Sequence, residues 1–237
     1  MAQWALSTLC RKSWHRVGGD LSLSLYELPP QAQGIATRMG ADLTGSSAWE
    51  GAKVLSQFIS TNSPQLRAAG PSVIELGAGL GLAGLSCAKM GWPRVRLTDR
   101  RPSFFGAPSN VLFKLMSLNA DLNGLSESVE ISELEWGEHK QIEQLLADNE
   151  GGYDLILGAD LLYNVESFPV LLQTIGSLQK NDGSSTVLLS QAFQQERFVS
   201  SFRSIASEHG YHLEQIHTQG IASIVTLWKE TRESWRP

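Results

Sequence analysis

Three groups of residues have the types and spacing from which chemistry could be built. The first is Val73-Ile-Glu-Leu-Gly-Ala-Gly-Leu-Gly-Leu-Ala-Gly84, an apolar run, a glycine turn and the start of a helix. Glycine at 77, 79 and 81 lets a ligand approach the backbone where a side chain would block it. The following helix offers the unpaired N–H groups of its first turn to whatever lies over the glycines. The second group is Gly158-Ala-Asp-Leu-Leu-Tyr163, placed just after the apolar strand candidate Tyr153-Asp-Leu-Ile-Leu157. The third is Leu134-Glu-Trp-Gly137, whose indole either flanks a purine ring or packs in a core.

The first group reads as a nucleotide or nucleoside cradle, and two cofactors compete for it. Gly79-x-Gly81-x-x-Gly84 meets the dinucleotide fingerprint, in which a pyrophosphate rests on a helix N-terminus. That pattern is weakly diagnostic, because many glycine-rich strand-to-helix turns produce it. Glu75, two residues before the first glycine, would aim a negative charge into the crevice and repel a pyrophosphate. S-adenosylmethionine lacks phosphate and presents an ammonium and a sulfonium, which a carboxylate favours. Asp99 ends the second strand candidate, Arg94-Val-Arg-Leu-Thr98, and can accept hydrogen bonds from both ribose hydroxyls of either cofactor. The methyl donor is the expected ligand; a purely structural glycine turn is the remaining reading.

Ligands of open parallel sheets sit beyond the carboxyl ends of the strands, so Asp160 and Tyr163 fall beside the cradle. A helical turn starting at Asp160 would put both on one face. The plainer alternative has Asp160 capping a turn and Tyr163 in the core.

The elements that must hold these groups alternate between strand and helix after residue 72, which predicts an α/β fold with a parallel sheet covered on both faces. A helix is expected over 48–60, capped by Ser47, with Trp49 and Glu50 in its first turn. The segment around Gly34, Gly40 and Gly45 reads as loop, 64–71 as a connector, and 100–109 as a loop carrying Phe104 and Phe105. Strands at 211–216 and 222–229 are joined too tightly for anything but antiparallel pairing. Leu21-Ser-Leu-Ser-Leu-Tyr26 alternates as a half-buried strand. Residues 1–45 are expected to form an N-terminal arm and 46–237 the main domain.

Composition narrows the function. The chain has 237 residues, 42% of them hydrophobic and 18% charged, enough for one large core. A net charge of −5 argues against nucleic acid as partner, and no apolar run reaches the roughly 18 residues of a membrane helix. Two cysteines, Cys10 and Cys87, fit a reducing, cytoplasmic compartment, with the nucleus as a further site. The first nineteen residues lack acids and carry Arg11, Lys12 and Arg16, so a mitochondrial transit peptide is the competing reading. The five histidines are scattered, and no metal-ligand cluster is visible. Between Asp121 and Glu166 a dozen acids face a single base, Lys140. They form either a docking surface for a cationic substrate or solvated helix faces.

Trp49-Glu-Gly-Ala52, Glu75-Leu-Gly-Ala-Gly79, Thr98-Asp-Arg100, Leu134-Glu-Trp-Gly137 and Asp154-Leu-Ile-Leu-Gly-Ala-Asp-Leu-Leu-Tyr163 together resemble the seven-β-strand protein-lysine methyltransferases. More narrowly, the set is similar to the methyltransferase-like 21 group, which modifies non-histone proteins such as chaperones and other ATPases. The resemblance runs from about 45 to 200, with Gln195-Glu-Arg-Phe198 matching weakly. It implies a Rossmann-like seven-stranded sheet of order 3-2-1-4-5-7-6 with the seventh strand antiparallel, and an enzyme using S-adenosylmethionine; a monomer is expected, though the sequence does not give the oligomeric state. It makes Gly77, Ala78 and Gly79 the methionine-side cradle and Asp99 the ribose acceptor, and Glu75 is expected beside them as a donor-binding residue. Trp49 and Ala159 become donor-site contacts, Trp136 an adenine contact, and Asp160 and Tyr163 the motif associated with the target lysine. The loop at Phe104 and Phe105 and the N-terminal arm depart from the pattern, so substrate identity does not transfer. Competing functions are methylation of a small amine or of histidine or arginine, a non-catalytic binding module, and an NAD-dependent oxidoreductase. The last lacks a hydride-site pair.

Overall fold

The computed structural model describes residues 10–38, 43–104, 107–149, 151–192 and 196–229. Strand β1 (Arg11–Gly18) pairs antiparallel with β2 (Leu21–Glu27), so part of the expected arm is a hairpin. Leu23 and Leu25 of β2 are buried, whereas Val17 is the one fully buried residue of β1. Charged and aromatic outward positions, with Trp14 65% exposed, hide the alternation of β1 from a sequence reading. Helix α1 (Pro30–Arg38) replaces part of an expected loop. Proline suits a first helical turn, and the single Gly34 costs the helix only about 1 kcal/mol. Gly40 and Phe105 lie outside the described residues.

Helices α2 (Glu50–Thr61) and α3 (Ser63–Ala68) lead into β3 (Ser72–Leu76), and the expected connector is thus partly helical. Then come α4 (Leu82–Lys89), β4 (Arg94–Asp99), the short pair β5 (Ser103–Phe104) and β6 (Ala107–Pro108), and α5 (Val111–Leu122). The chain continues through β7 (Val129–Glu133), α6 (His139–Ala147), β8 (Leu155–Ala159) and α7 (Phe168–Leu178). It closes with β9 (Thr186–Ala192), α8 (Glu196–Glu208), β10 (Tyr211–Gln219) and β11 (Ala222–Lys229).

Seven strands form one sheet in the order β7-β4-β3-β8-β9-β11-β10. Numbered within that sheet along the chain, this is 3-2-1-4-5-7-6. Strands β7, β4, β3, β8 and β9 are parallel, and β11 runs against both its neighbours. The expected α/β architecture and its reversed last strand are both present.

Strand periodicity divides the core. In β3, Val73 packs on one face with Leu55, Ile59, Leu85 and Leu115, while Ile74 and Leu76 pack on the other with Phe168, Leu172 and Ile175. Helices therefore cover both faces. The hairpin joins the first of these layers, where Asn119 of α5 and Asn123 just after it accept the N–H groups of Tyr26 and Ser24.

The amino ends of the strands are tied by Asp154, which is 2% exposed and accepts from the Ser72 N–H and hydroxyl and from Lys180. Glu130 and Asp148 pair with Arg96, and Glu133 pairs with Arg101. The run of acids is thus dispersed. Among its described members only Asp160 lines the cleft described next.

Candidate active site

A cleft of about 340 Å³ opens at the carboxyl ends of β3, β4, β8 and β9. That volume suits a nucleoside-sized ligand. The cradle residues Gly77, Ala78 and Gly79 form its floor, with Glu75 and Asp99 below and beside them. Trp49, Trp136, Ala159, Asp160 and Tyr163 line its walls, so every residue selected from the sequence reaches the same cleft.

The glycine turn follows from its backbone. Gly77 and Gly79 have φ of 57° and 55°, a left-handed conformation that other residues adopt at a cost. A Cβ on Gly79 would lie 2.8 Å from the Gly45 carbonyl oxygen, and one on Gly77 would lie 2.6 Å from the Leu161 side chain. Protein neighbours therefore demand these glycines; ligand approach alone does not account for them. The Ala78 N–H donates to the Thr98 carbonyl at 2.8 Å, which ties the turn to β4. Asp99 Oδ2 accepts from the Gly79 N–H at 2.8 Å and Oδ1 from the Arg100 N–H at 2.8 Å. These two donors fix the carboxylate at the cleft, and its oxygens are acceptors of the kind to which ribose hydroxyls donate.

Glu75 corrects the electrostatic expectation. Its side chain is buried beneath the turn at 1% exposure, and Oε2 accepts from the Gly84 N–H at 2.7 Å. It caps α4 from the end of β3 through Oε2, while the residue borders the cleft from beneath the turn. Burial pushes its carboxyl up to about 8, against hydrogen bonds from Gly84 and Ala83, and the charge of Asp99 adds to the rise. Two of the N–H donors in the first turn of α4, those of Gly84 and Ala83, are thus taken by Glu75. That occupation, together with Asp99, fits S-adenosylmethionine, whose nucleoside needs ribose acceptors and no phosphate site.

Asp160 sits just past β8 with φ 56°, so no helical turn begins there. It is half-buried and Tyr163 is 62% exposed; both reach the cleft from an irregular turn. Asp160 Oδ2 accepts from the Gly51 N–H at 2.8 Å and Oδ1 from the Ala192 N–H at 2.7 Å. Burial raises its carboxyl, hydrogen bonds from Ala192 and Gly51 oppose that, and nearby Glu50 adds to the rise; the net shift is upward. Helix α2 has Trp49 as its cap residue with no side-chain capping bond of its own, so Ser47 does not play the expected part.

The two tryptophans differ. Trp49 is 45% exposed at the rim, and its Nε1–H donates to the Thr44 carbonyl at 3.0 Å. Trp136 is half-buried between the cleft, close to Gly77, and the second core cluster, so its ring belongs to both. Gly45, Ser47, Arg100, Gln191, Ala192 and Phe198 line the cleft without having been selected. Gln191 and Ala192 end β9, the fifth sheet strand, and the carboxyl-end rule would have found them.

Solved structures share this fold. They include a ribosomal protein L11 methylase from Lactobacillus delbrueckii subsp. bulgaricus, with TM-score 0.54 and 18% identity over 75% of this chain and 80% of that one. Another is the magnesium protoporphyrin IX methyltransferase of Synechocystis PCC 6803 with bound SAH, with TM-score 0.52 and 15% identity over 76% and 83%. These likenesses show the fold. Residues 33–207 match the lysine methyltransferase family, and the chain belongs to it, with S-adenosylmethionine as methyl donor. Relatives include the protein N-lysine methyltransferase METTL21A of Danio rerio, 38% identical over 167 residues, 69% of each chain. The Mus musculus METTL21A is 36% identical over 149 residues, 63% of this chain and 61% of that one. EEF1A lysine methyltransferase 3 of Mus musculus is 30% identical over 183 residues, 77% of this chain and 69% of that one. Among the described residues no helix is long and apolar enough to cross a membrane.

Proposed function

We propose that this chain methylates the ε-amine of a lysine in a non-histone protein. The observation that carries this reading is Asp160, a half-buried carboxylate in the donor cleft, with the exposed rings of Tyr163 and Trp49 lining the same cleft. A lysine has an aliphatic stem for those rings and a cationic head for the acid.

When bound, S-adenosylmethionine supplies a methyl group made electrophilic by its sulfonium. Glycines 77 and 79, Ala78, Asp99, Trp136, Trp49 and Ala159 would hold it, with Glu75 bracing the turn. The remaining task is to present a neutral amine. A free lysine, with pKa about 10.4, is protonated at neutral pH and its lone pair is unavailable. Asp160 attracts and orients the ammonium, and desolvation beside the aromatic rings favours loss of its proton. Tyr163 shapes the wall so that the lone pair aims at the cradle.

Within this reading residues 46–237 form the catalytic domain and 1–45 an N-terminal extension, whose hairpin β1–β2 packs on it. The enzyme acts as a monomer in the cytoplasm, on a folded or partly folded substrate such as a chaperone or other ATPase, the class the family resemblance implies. Incubation of the protein with tritiated donor in cell lysate, followed by mass spectrometry, tests it. Label on protein lysines is the expected result. Label confined to small molecules would favour the small-amine alternative.

A further inference from the structure

Glu27 ends β2 outside the seven-stranded sheet, yet it is 4% exposed and fully engaged. Its Oε2 accepts from the Ala48 N–H at 3.2 Å, with Arg11 3.9 Å away, and its Oε1 accepts from the Ser13 hydroxyl and lies 3.2 Å from His15 Nε2. Burial pushes its carboxyl up, but hydrogen bonds from His15, Ser13 and Ala48 outweigh this and hold it down to about 2.

Ala48 belongs to segment 44–49, which supplies Thr44, Gly45, Ser47, Ala48 and Trp49 to the cleft wall. On one side this segment lies against the glycine turn, since Gly45 is the neighbour a Cβ on Gly79 would strike. On the other it is tied to the N-terminal region three times. The Leu28 N–H donates to the Ser46 carbonyl at 3.1 Å, Gln33 Nε2 donates to the Ser47 hydroxyl, and Glu27 accepts from Ala48. Segment 44–49 contains only a short 3-10 turn of its own, Thr44–Ser46, and these ties add to its packing against Leu112 in holding it in place.

We propose that Glu27 is a positioning residue for the methyl donor: through the Ala48 N–H it holds segment 44–49 against the glycine turn at the spacing the donor requires. The N-terminal hairpin thereby sets donor affinity while contributing no residue to the chemistry. The proposal rests on reading the cleft as the donor site.

Calorimetric titration with S-adenosylhomocysteine, well below the melting midpoint, tests it. Glu27→Ala should weaken binding about tenfold, whereas Glu27→Gln, whose amide oxygen still accepts from Ala48, should stay within about threefold of wild type. In turnover assays Glu27→Ala should raise the donor KM and leave kcat at saturating donor unchanged. Asp154→Asn, at the opposite end of the sheet, should lower Tm and leave donor affinity intact. Wild-type affinity in folded Glu27→Ala, or equal weakening in Asp154→Asn, overturns the proposal. Should Glu27→Ala fail to fold, Gln33→Ala decides: weakened binding supports the proposal and wild-type affinity overturns it. An unaffected Asp99→Ala would remove the donor from this cleft, and the Glu27 proposal with it. A weakened Asp99→Ala beside an unaffected Glu27→Ala overturns the Glu27 proposal alone.

Discussion

Asp160 Oδ2 accepts the Gly51 N–H at 2.8 Å, so helix α2 is capped by a residue 109 positions further along the chain. The Ser190 hydroxyl donates to the Gly51 carbonyl at 2.6 Å, and the Asp160 N–H donates to the Ser190 carbonyl at 2.8 Å. A closed network therefore joins the start of α2 to the ends of β8 and β9. The acid proposed to meet the substrate also fixes the helix that presents Trp49.

This double duty governs the Asp160→Asn variant. One face of the new amide must turn its NH2 toward a backbone N–H, at Gly51 or at Ala192. A lost hydrogen bond to a buried group costs about 1–3 kcal/mol, so Tm should fall along with turnover. A 100-fold loss of turnover corresponds to about 2.7 kcal/mol. Steady-state kinetics with calorimetric melting checks both; full activity with unchanged Tm would refute the assignment.

Gly51→Ala tests the same contact from the other side. A Cβ there would lie 2.5 Å from Asp160 Oδ2, so the carboxylate must move. Activity should drop although alanine is the better helix former. A more stable and fully active variant would show the contact to be dispensable.

Asp99→Ala should weaken S-adenosylhomocysteine binding by roughly 1.5–3 kcal/mol, the range for hydrogen bonds to a charged group. Titration with NAD in parallel should show no binding, because Glu75 occupies the donor of Gly84.

Trp136→Ala should lower donor affinity more than it lowers the Tm of the unliganded protein, since the ring is only half-buried against the core. Early melting with unchanged affinity in the folded fraction would assign the ring to the core alone.

Glu75 predicts a pH dependence. Its carboxyl keeps a proton to about 8 in the folded state, against an ordinary value of 4.5. The folded state then binds more protons than the unfolded one between these values, so stability falls as pH rises through that window. Glu75→Gln, which keeps an acceptor for Gly84, should flatten the decline of Tm on the alkaline side. Parallel slopes for wild type and variant would show that Glu75 is ionised throughout.

Periodicity and punctuation in the chain determined the alternating elements, the buried β3 run, the antiparallel end and the glycine turn, because these depend on neighbours within about ten residues. The cleft's principal residues were legible for the same reason: the carboxyl-end rule converts strand ends such as Asp99 and Asp160 into one location. Tertiary structure alone decided what those side chains do. Glu75 turns down onto α4, Asp160 caps α2 in place of Ser47, and Glu27 reaches Ala48 from the hairpin. It also scattered the acidic run, sending Asp154 and Asp148 to the amino ends of the strands, away from the cleft. A carboxylate takes its partner from whatever N–H the folded chain brings within 3 Å or so. When that partner is 21 or 109 residues away, no local pattern records it.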